Sequence, residues 1–126
     1  MSVHLDQFML LASQQSVTFK DLRGLSFAVL NDIGPWKKVI QDNIPDAKFL
    51  YQTERDSLAE ITKFANFPSF STNVTDLVEN QTDTNLGRVK LPISNEAAKM
   101  PFYVSYLKSQ RSQLNNVLKR IVELWP

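Results

Sequence analysis

The feature that most constrains this chain is a regular alternation of strand-like and helix-like segments. The apolar run Ser26–Leu30 predicts a buried strand, and after a polar loop a helical pattern begins at Trp36. Ala47–Gln52 predicts another strand, and the helix after it can start with a capping box of Thr53 and Asp56. Strands separated by helices favour a mixed, mostly parallel sheet flanked by helices. The sequence therefore predicts an α/β fold.

The rest of the chain predicts shorter and less regular elements. Four further short strands are expected, at Phe8–Leu11, Ser69–Ser71, Arg88–Ile93 and Phe102–Leu107. Pro92 marks the third of these as an edge or crossover segment rather than a central strand, because proline cannot donate to a sheet ladder. A brief helix is expected after a cap at Thr72 and Asn73, then a polar loop over Glu79–Gly87. Ser109–Trp125 has apolar residues at helical spacing and predicts the longest helix.

Composition excludes several classes of function. The 126 residues, 43% of them hydrophobic, are enough for one domain with a core. Lys and Arg total 14 against 13 Asp and Glu, with no basic cluster, so we expect no nucleic acid to bind this segment. The absence of Cys excludes disulfides, thiolate metal sites and cysteine nucleophiles.

The sequence carries no sign of secretion or of membrane insertion. His4 and Asp6 precede an apolar run of only Phe8–Ala12, which is not the pattern of a signal peptide. No stretch approaches the roughly 20 apolar residues that a membrane helix requires. We therefore expect a cytoplasmic protein without a membrane partner.

The residues offer little for catalysis. The only histidine is His4, which we place in a frayed N-terminus, so a serine nucleophile would lack a base. Gly24, Gly34 and Gly87 are isolated, and neither a dinucleotide nor a P-loop fingerprint is present. The prediction is a protein that is not an enzyme, with no cofactor and no metal.

Three loops are candidates for a ligand site. In open α/β sheets, ligands bind outside the carboxyl ends of the strands, beside helix N-termini. This rule selects Asn31–Trp36, Gln52–Asp56 and Pro68–Thr75, whose hydroxyl and amide side chains next to helix N-termini suit an anion. The alternative is that Gly34 and Pro35 merely start a helix and that Trp36 is a core residue.

Together these pieces resemble a known family. The runs "VTFKDLRGLSFAVLNDIGPWKKVIQDNIPDAKFLYQTE", "ITKFANFPSFSTNVTD", "RVKLPISN" and "PFYVSYLK" look like the second half of the effector-binding domain of LysR-type transcriptional regulators. That domain has a bilobal, periplasmic-binding-protein-like (type 2) fold. The family's winged helix-turn-helix and the first part of its effector domain are absent from this sequence.

The resemblance implies an organisation and a function. Residues 1–93 would form the second lobe, up to a hinge near Leu91-Pro92-Ile93, and residues 94–126 would add a returning strand and helix of the first lobe. A small, anionic organic effector would bind between the lobes and change the assembly of a homodimer or higher oligomer, with DNA bound through the absent domain. The residues that would contact the effector are Asn31, Asp32, Ile33, Gly34, Pro35, Thr53, Phe70, Ser71, Thr72 and Asn73.

A second hypothesis comes from a different class of protein. The chain would be a free-standing α/β module without a small-molecule site, which self-associates through Ser109–Trp125. In that case the apolar stripe of the last helix would be the contact surface.

Overall fold

The structure is a computed structural model that describes residues 1–79, 87–101 and 103–125, with the backbone alone for 77–79. The described strands are β1 (Ser2–Asp6), β2 (Ser26–Leu30), β3 (Lys48–Gln52), β4 (Ser69–Ser71) and β5 (Arg88–Pro92). The described α-helices are α1 (Trp36–Asn43), α2 (Arg55–Phe64), α3 (Asn73–Glu79) and α4 (Arg111–Leu124). Short 3₁₀ helices occur at Leu10–Ser13, Lys20–Leu22, Glu96–Ala98 and Lys108–Gln110. The α/β class predicted from the sequence is confirmed.

The strands form two small sheets of different type. β2 and β3 pair in parallel, whereas β1 lies between β4 and β5 and is antiparallel to both. The amide of Ala28 on β2 donates to the carbonyl of Pro68, 3.0 Å away and just before β4, so the two sheets adjoin. Strand directions are thus mixed, and the described strands do not form the mostly parallel sheet that we expected. The difference arises from β1, which the sequence analysis missed.

The first strand lies closer to the N-terminus than predicted. Phe8–Leu11 was expected to be a buried strand, but Phe8 and Leu10 are 87% and 93% exposed, and a 3₁₀ helix begins at Leu10. β1 instead carries Val3 and Leu5 at two-residue spacing, and both are fully buried. The alternation of apolar Val3 and Leu5 with polar His4 and Asp6 is an ordinary sequence signal of a strand, although His4 on the other face is buried as well. The prediction followed the longer apolar run Phe8–Leu11, whereas the strand follows the two-residue spacing of Val3 and Leu5.

An aromatic stack marks the centre of the core. The ring of Phe27 on β2 packs on those of Phe49 and Phe70, with centroids 5.8 and 4.7 Å away. Ile40 of α1 and Ile44 are fully buried in the same cluster. Burial of each such side chain contributes about 1.5–3 kcal/mol relative to exposure. The core therefore fixes α1 and the β2–β3 pair to the sheet that contains β1.

Helix starts decide where the candidate loops end. α1 begins at Trp36 as predicted, after Gly34, whose positive φ of 60° suits glycine, and Pro35, whose φ is already helical. α2 begins at Arg55 without the predicted capping box, because its N-cap residue is Glu54 and no side chain bonds to the cap. α3 has the predicted cap at Thr72, described below.

The C-terminal segment differs from the prediction in one respect. Residues 103–107 have no regular secondary structure, so the expected strand Phe102–Leu107 is not formed, and Phe102 itself lies outside the described residues. A strand requires a neighbour that accepts its backbone hydrogen bonds, and no described strand runs beside this segment. α4 forms within the predicted Ser109–Trp125 range, and none of its residues is buried.

Among the described helices, none combines the length and the apolar character needed to cross a membrane.

Candidate ligand-binding site

A cavity of about 310 Å³ lies at the carboxyl end of β2 and beside β4. All three loops selected from the sequence contribute to its wall, which also includes part of β2 and Met1. The lining residues are Met1, Ala28, Val29, Leu30, Asp32, Ile33, Trp36, Ile40, Arg55, Leu58, Phe70, Ser71, Thr72, Val74 and Thr75. The fold thus brings together loops that are about 20 residues apart in sequence.

The predicted contact residues divide into two groups. Those that line the cavity are Asp32, Ile33, Phe70, Ser71 and Thr72. Those outside its wall are Asn31, Gly34, Pro35, Thr53 and Asn73. The carbonyl oxygen of the Asn31 side chain instead accepts a hydrogen bond from the Lys37 ammonium, 2.8 Å away. Gly34 and Pro35 lie directly before α1, in agreement with the alternative interpretation that these two residues only start a helix.

The polar wall holds one cationic and one acidic side chain. Arg55 is the first residue of α2, and among the described residues it has no carboxylate within ion-pair distance. Asp32 follows β2 and likewise has no described ion-pair partner. The N-termini of α1 and α2 reach the cavity at Trp36 and Arg55, and each adds partial positive charge. The wall of the cavity therefore contains both a cationic and an acidic side chain.

The apolar wall is formed by large side chains from different elements. Trp36 of α1 and Phe70 of β4 line the cavity together with Ile33 and Leu58. Trp36 is half-buried, so it is both part of the packing and part of the wall. Apolar walls with a few polar groups are typical of small-molecule sites. The volume is at the lower end of the usual range for such sites.

Two threonines fix the loop between β4 and α3. The Thr72 hydroxyl accepts from the Thr75 amide at 3.2 Å, and the Thr75 hydroxyl accepts from the Thr72 amide at 2.8 Å. The two side chains satisfy free amides reciprocally, in the manner of a capping box. Both residues line the cavity, so these hydrogen bonds shape this part of the wall.

His4 is the clearest correction to the sequence analysis. It does not fray but lies buried in β1, and its Nε2 is 2.8 Å from the Oγ of Ser71 in the cavity wall. Burial lowers the pKa of His4 below its ordinary value; Asp76 opposes that effect, and Lys90 and Arg88 add to it. The neutral imidazole is therefore favoured at neutral pH.

Comparisons with known proteins add no relative. No known protein family matches the chain by its profile, and no curated protein matches it in sequence. Within the described residues, no group of three His, Asp or Glu side chains is placed to hold a metal ion. The geometry of the cavity is therefore the basis on which a function can be assigned.

Several lining residues, and His4 behind the wall, were not among the predicted contacts, and the reasons can be identified. Arg55 was hidden in a presumed capping box, although a basic residue beside a polar loop is a usable signal for an anion site. Leu58 and Val74 lie on helices and resemble ordinary core residues. His4 was overlooked because β1 was overlooked, and its contact with Ser71 depends on strand pairing that no local pattern reveals.

Proposed function

We propose that this chain is a cytoplasmic small-molecule-sensing domain, similar to the effector-binding domain of LysR-type regulators, and that its ligand occupies the cavity described above. The observation that carries this proposal is the convergence of three separate βα-type loops on one cavity. Such convergence at strand ends is the usual location of ligand sites in α/β folds. The chain would act by binding and would catalyse no reaction.

The wall favours a small organic acid that also carries a hydrogen-bond donor. Arg55 and the N-termini of α1 and α2 would bind the carboxylate, since guanidinium groups and free amides both donate to anions. Asp32 would accept from a hydroxyl or amino group of the ligand. Trp36 and Phe70 would cover its apolar part.

In this proposal residues 1–93 form a lobe that would connect to the rest of a bilobal domain through two adjacent strands. Ser2 at the start of β1 pairs with Pro92 at the end of β5, and the Ile93 amide donates to the Met1 carbonyl at 3.2 Å. The two ends of the 1–93 unit therefore lie side by side. A ligand held between two lobes would change the angle at this connection, and with it the assembly of an oligomer. In this proposal DNA would bind through a separate domain.

A residue-resolved titration tests the proposal. The backbone amide NMR spectrum of the chain would be followed during addition of pooled small organic acids and amino acids. We expect shifts confined to Asn31–Lys37, Gln52–Asp56 and Pro68–Thr75. An absence of shifts, or shifts gathered over Ser109–Trp125, would contradict a ligand site in this cavity.

The exposure of α4 favours a second candidate function, self-association. Val117, Val122 and Leu124 are among the exposed apolar side chains of this helix, and Ile121 is 37% exposed. Several exposed apolar side chains on one helix are a common feature of surfaces that make protein contacts. We expect Ile121→Asp to abolish a concentration-dependent dimer in analytical ultracentrifugation while the circular dichroism spectrum is retained. Glu123→Asp is the matched control, and a monomer at every concentration would exclude this function.

A further inference from the structure

We infer that His4 decides whether the hydroxyl of Ser71 donates or accepts toward the cavity, and that His4 is thereby a specificity-determining residue of the proposed site. The inference rests on the proposed function, because it concerns the ligand of the same cavity. It assigns a role to the only histidine of the chain, which does not line the cavity but forms a hydrogen bond with Ser71 in the cavity wall.

The geometry leaves two arrangements of this hydrogen bond. If Nε2 of His4 carries no proton, the Ser71 hydroxyl must donate to it, and the lone pairs of Oγ remain to accept from a ligand. If Nε2 is protonated, it donates to Oγ, and the Ser71 proton is free to bond an acceptor in the cavity. The 2.8 Å separation suits either direction. A proton on Nε2 therefore favours a ligand group that accepts from Ser71, and a bare Nε2 favours a ligand group that donates to Ser71.

The surroundings of His4 and Ser71 favour one direction of their hydrogen bond at a time. His4 and Ser71 are 7% and 4% exposed, so water does not compete freely for their polar atoms. β1 and β4 pair in register with His4 opposite Ser69, which fixes the two side chains on neighbouring strands. A hydroxyl oriented by a buried partner loses little entropy when it meets a ligand.

Three charged groups face His4 from the elements packed against it. Asp76 of α3 favours the imidazolium, while Lys90 and Arg88 of β5 oppose it. Lys90 forms an ion pair with Asp76, and the Arg88 guanidinium donates to the carbonyls of Thr62, Ala65 and Phe67. These charges already have partners in the fold. A ligand that bonds to Ser71 acts on His4 in two ways, by its own charge and through the direction of the hydroxyl, and only the second requires Ser71.

A carboxylate at Ser71 can only accept, and it therefore selects the form with a proton on Nε2. The imidazolium always has that proton, so carboxylate binding raises the pKa of His4 relative to a free state in which Ser71 donates. By linkage, the carboxylate binds more tightly below this pKa than above it, about tenfold for each unit by which binding raises it. A ligand that only donates, such as an ammonium group, has the opposite preference.

The presence of a single histidine makes the test direct. The long-range ¹H–¹⁵N spectrum of the uniformly labelled chain contains one imidazole, so Nε2 can be followed without assignment ambiguity. The spectrum would be recorded across the pH titration with no probe, with benzoate and with benzylammonium. These two probes share an aromatic ring suited to Trp36 and Phe70 but offer only acceptors or only donors, respectively.

We expect benzoate to move the Nε2 signal toward that of a protonated nitrogen and to raise the midpoint of the His4 titration. Benzylammonium should move both in the opposite direction. Ser71→Ala should reduce the difference between the probes to the part caused by their opposite charges, while Ser69→Ala, the same change on the same strand outside the cavity wall, should leave it unchanged.

The outcomes separate the two proposals. Shifts of cavity amides without any change at Nε2 would overturn the role of His4 and leave the ligand site intact. No amide shift in the cavity with either probe, nor with the pooled acids, would overturn the ligand site and the role of His4 with it. A Ser71→Ala protein that distinguishes the probes as strongly as the unmodified chain would show that the Ser71 hydroxyl does not transmit the discrimination.

Discussion

The sheet-containing body and the C-terminal segment have similar sequence patterns but different structures. α1 and α4 each have a stripe of apolar residues at helical spacing, yet α1 buries Ile40 completely whereas no residue of α4 is buried. α1 lies against the aromatic core around Phe27, and no described strand runs beside residues 103–107, which precede α4. An amphipathic pattern therefore predicts that a helix has a face to cover, but not which surface covers it.

The largest expected difference between the two regions is in core substitution. Phe27→Ala should lower the free energy of unfolding by about 3–5 kcal/mol, because it leaves a cavity in the aromatic stack. Val122→Ala on α4 should change it by less than about 0.5 kcal/mol at dilute protein concentration. Urea denaturation monitored by fluorescence measures both. Equal losses would mean that α4 is packed in solution as firmly as the body.

A smaller difference is expected for two arginines. Arg88 in the body donates to three backbone carbonyls near the end of α2, at 2.7–3.1 Å. Arg88→Met should cost about 2–3 kcal/mol, because partly buried carbonyls lose a charged donor. Arg120→Met on the exposed surface of α4 is the control and should cost less than about 0.5 kcal/mol. Hydrogen exchange should also accelerate in α2 for the first variant alone.

The smallest expected difference concerns pH. Burial lowers the pKa of His4 in the folded state, so between that value and the unfolded value of about 6.5 the unfolded chain binds more protons. This contribution to stability is complete above about pH 6.5 and is lost as the pH falls from there through the lowered pKa of His4. His4→Gln should flatten this part of the stability profile in denaturation experiments repeated at several pH values. A profile with the same slope in the variant would assign the loss to other groups.

Local patterns predicted most of the elements that surround the cavity. The bounds of β2 and β4, the start of α1 and the Thr72 cap follow from apolar runs, proline and hydroxyl positions, which act over a few residues. The edge position of β5 followed from Pro92, because a missing amide donor is a property of the residue itself.

The features that the sequence did not predict depend on distant contacts. Each residue of β1 pairs with a residue at least 65 positions away, and only this pairing brings His4 to Ser71. The absence of a strand at 103–107 has the same origin, since a strand requires a partner that the segment itself cannot supply. The division of the ten predicted contact residues into five on the wall and five outside it depends on side-chain direction, which loop composition does not encode.

The central claim is that the ligand's acid group binds at the Arg55 side of the cavity, and two matched variants test it most directly. Arg55 and Arg111 are each the first residue of a helix, α2 and α4, but only Arg55 lines the cavity. Calorimetric titration would compare Arg55→Gln and Arg111→Gln with the unmodified chain, using the organic acid that binds most tightly in the pooled NMR titration. We predict that Arg55→Gln weakens binding at least about tenfold, the value of a charged hydrogen bond, and that Arg111→Gln has no effect. Unchanged affinity in the Arg55 variant, or an equal loss in both, would contradict the assignment of this cavity as the ligand site.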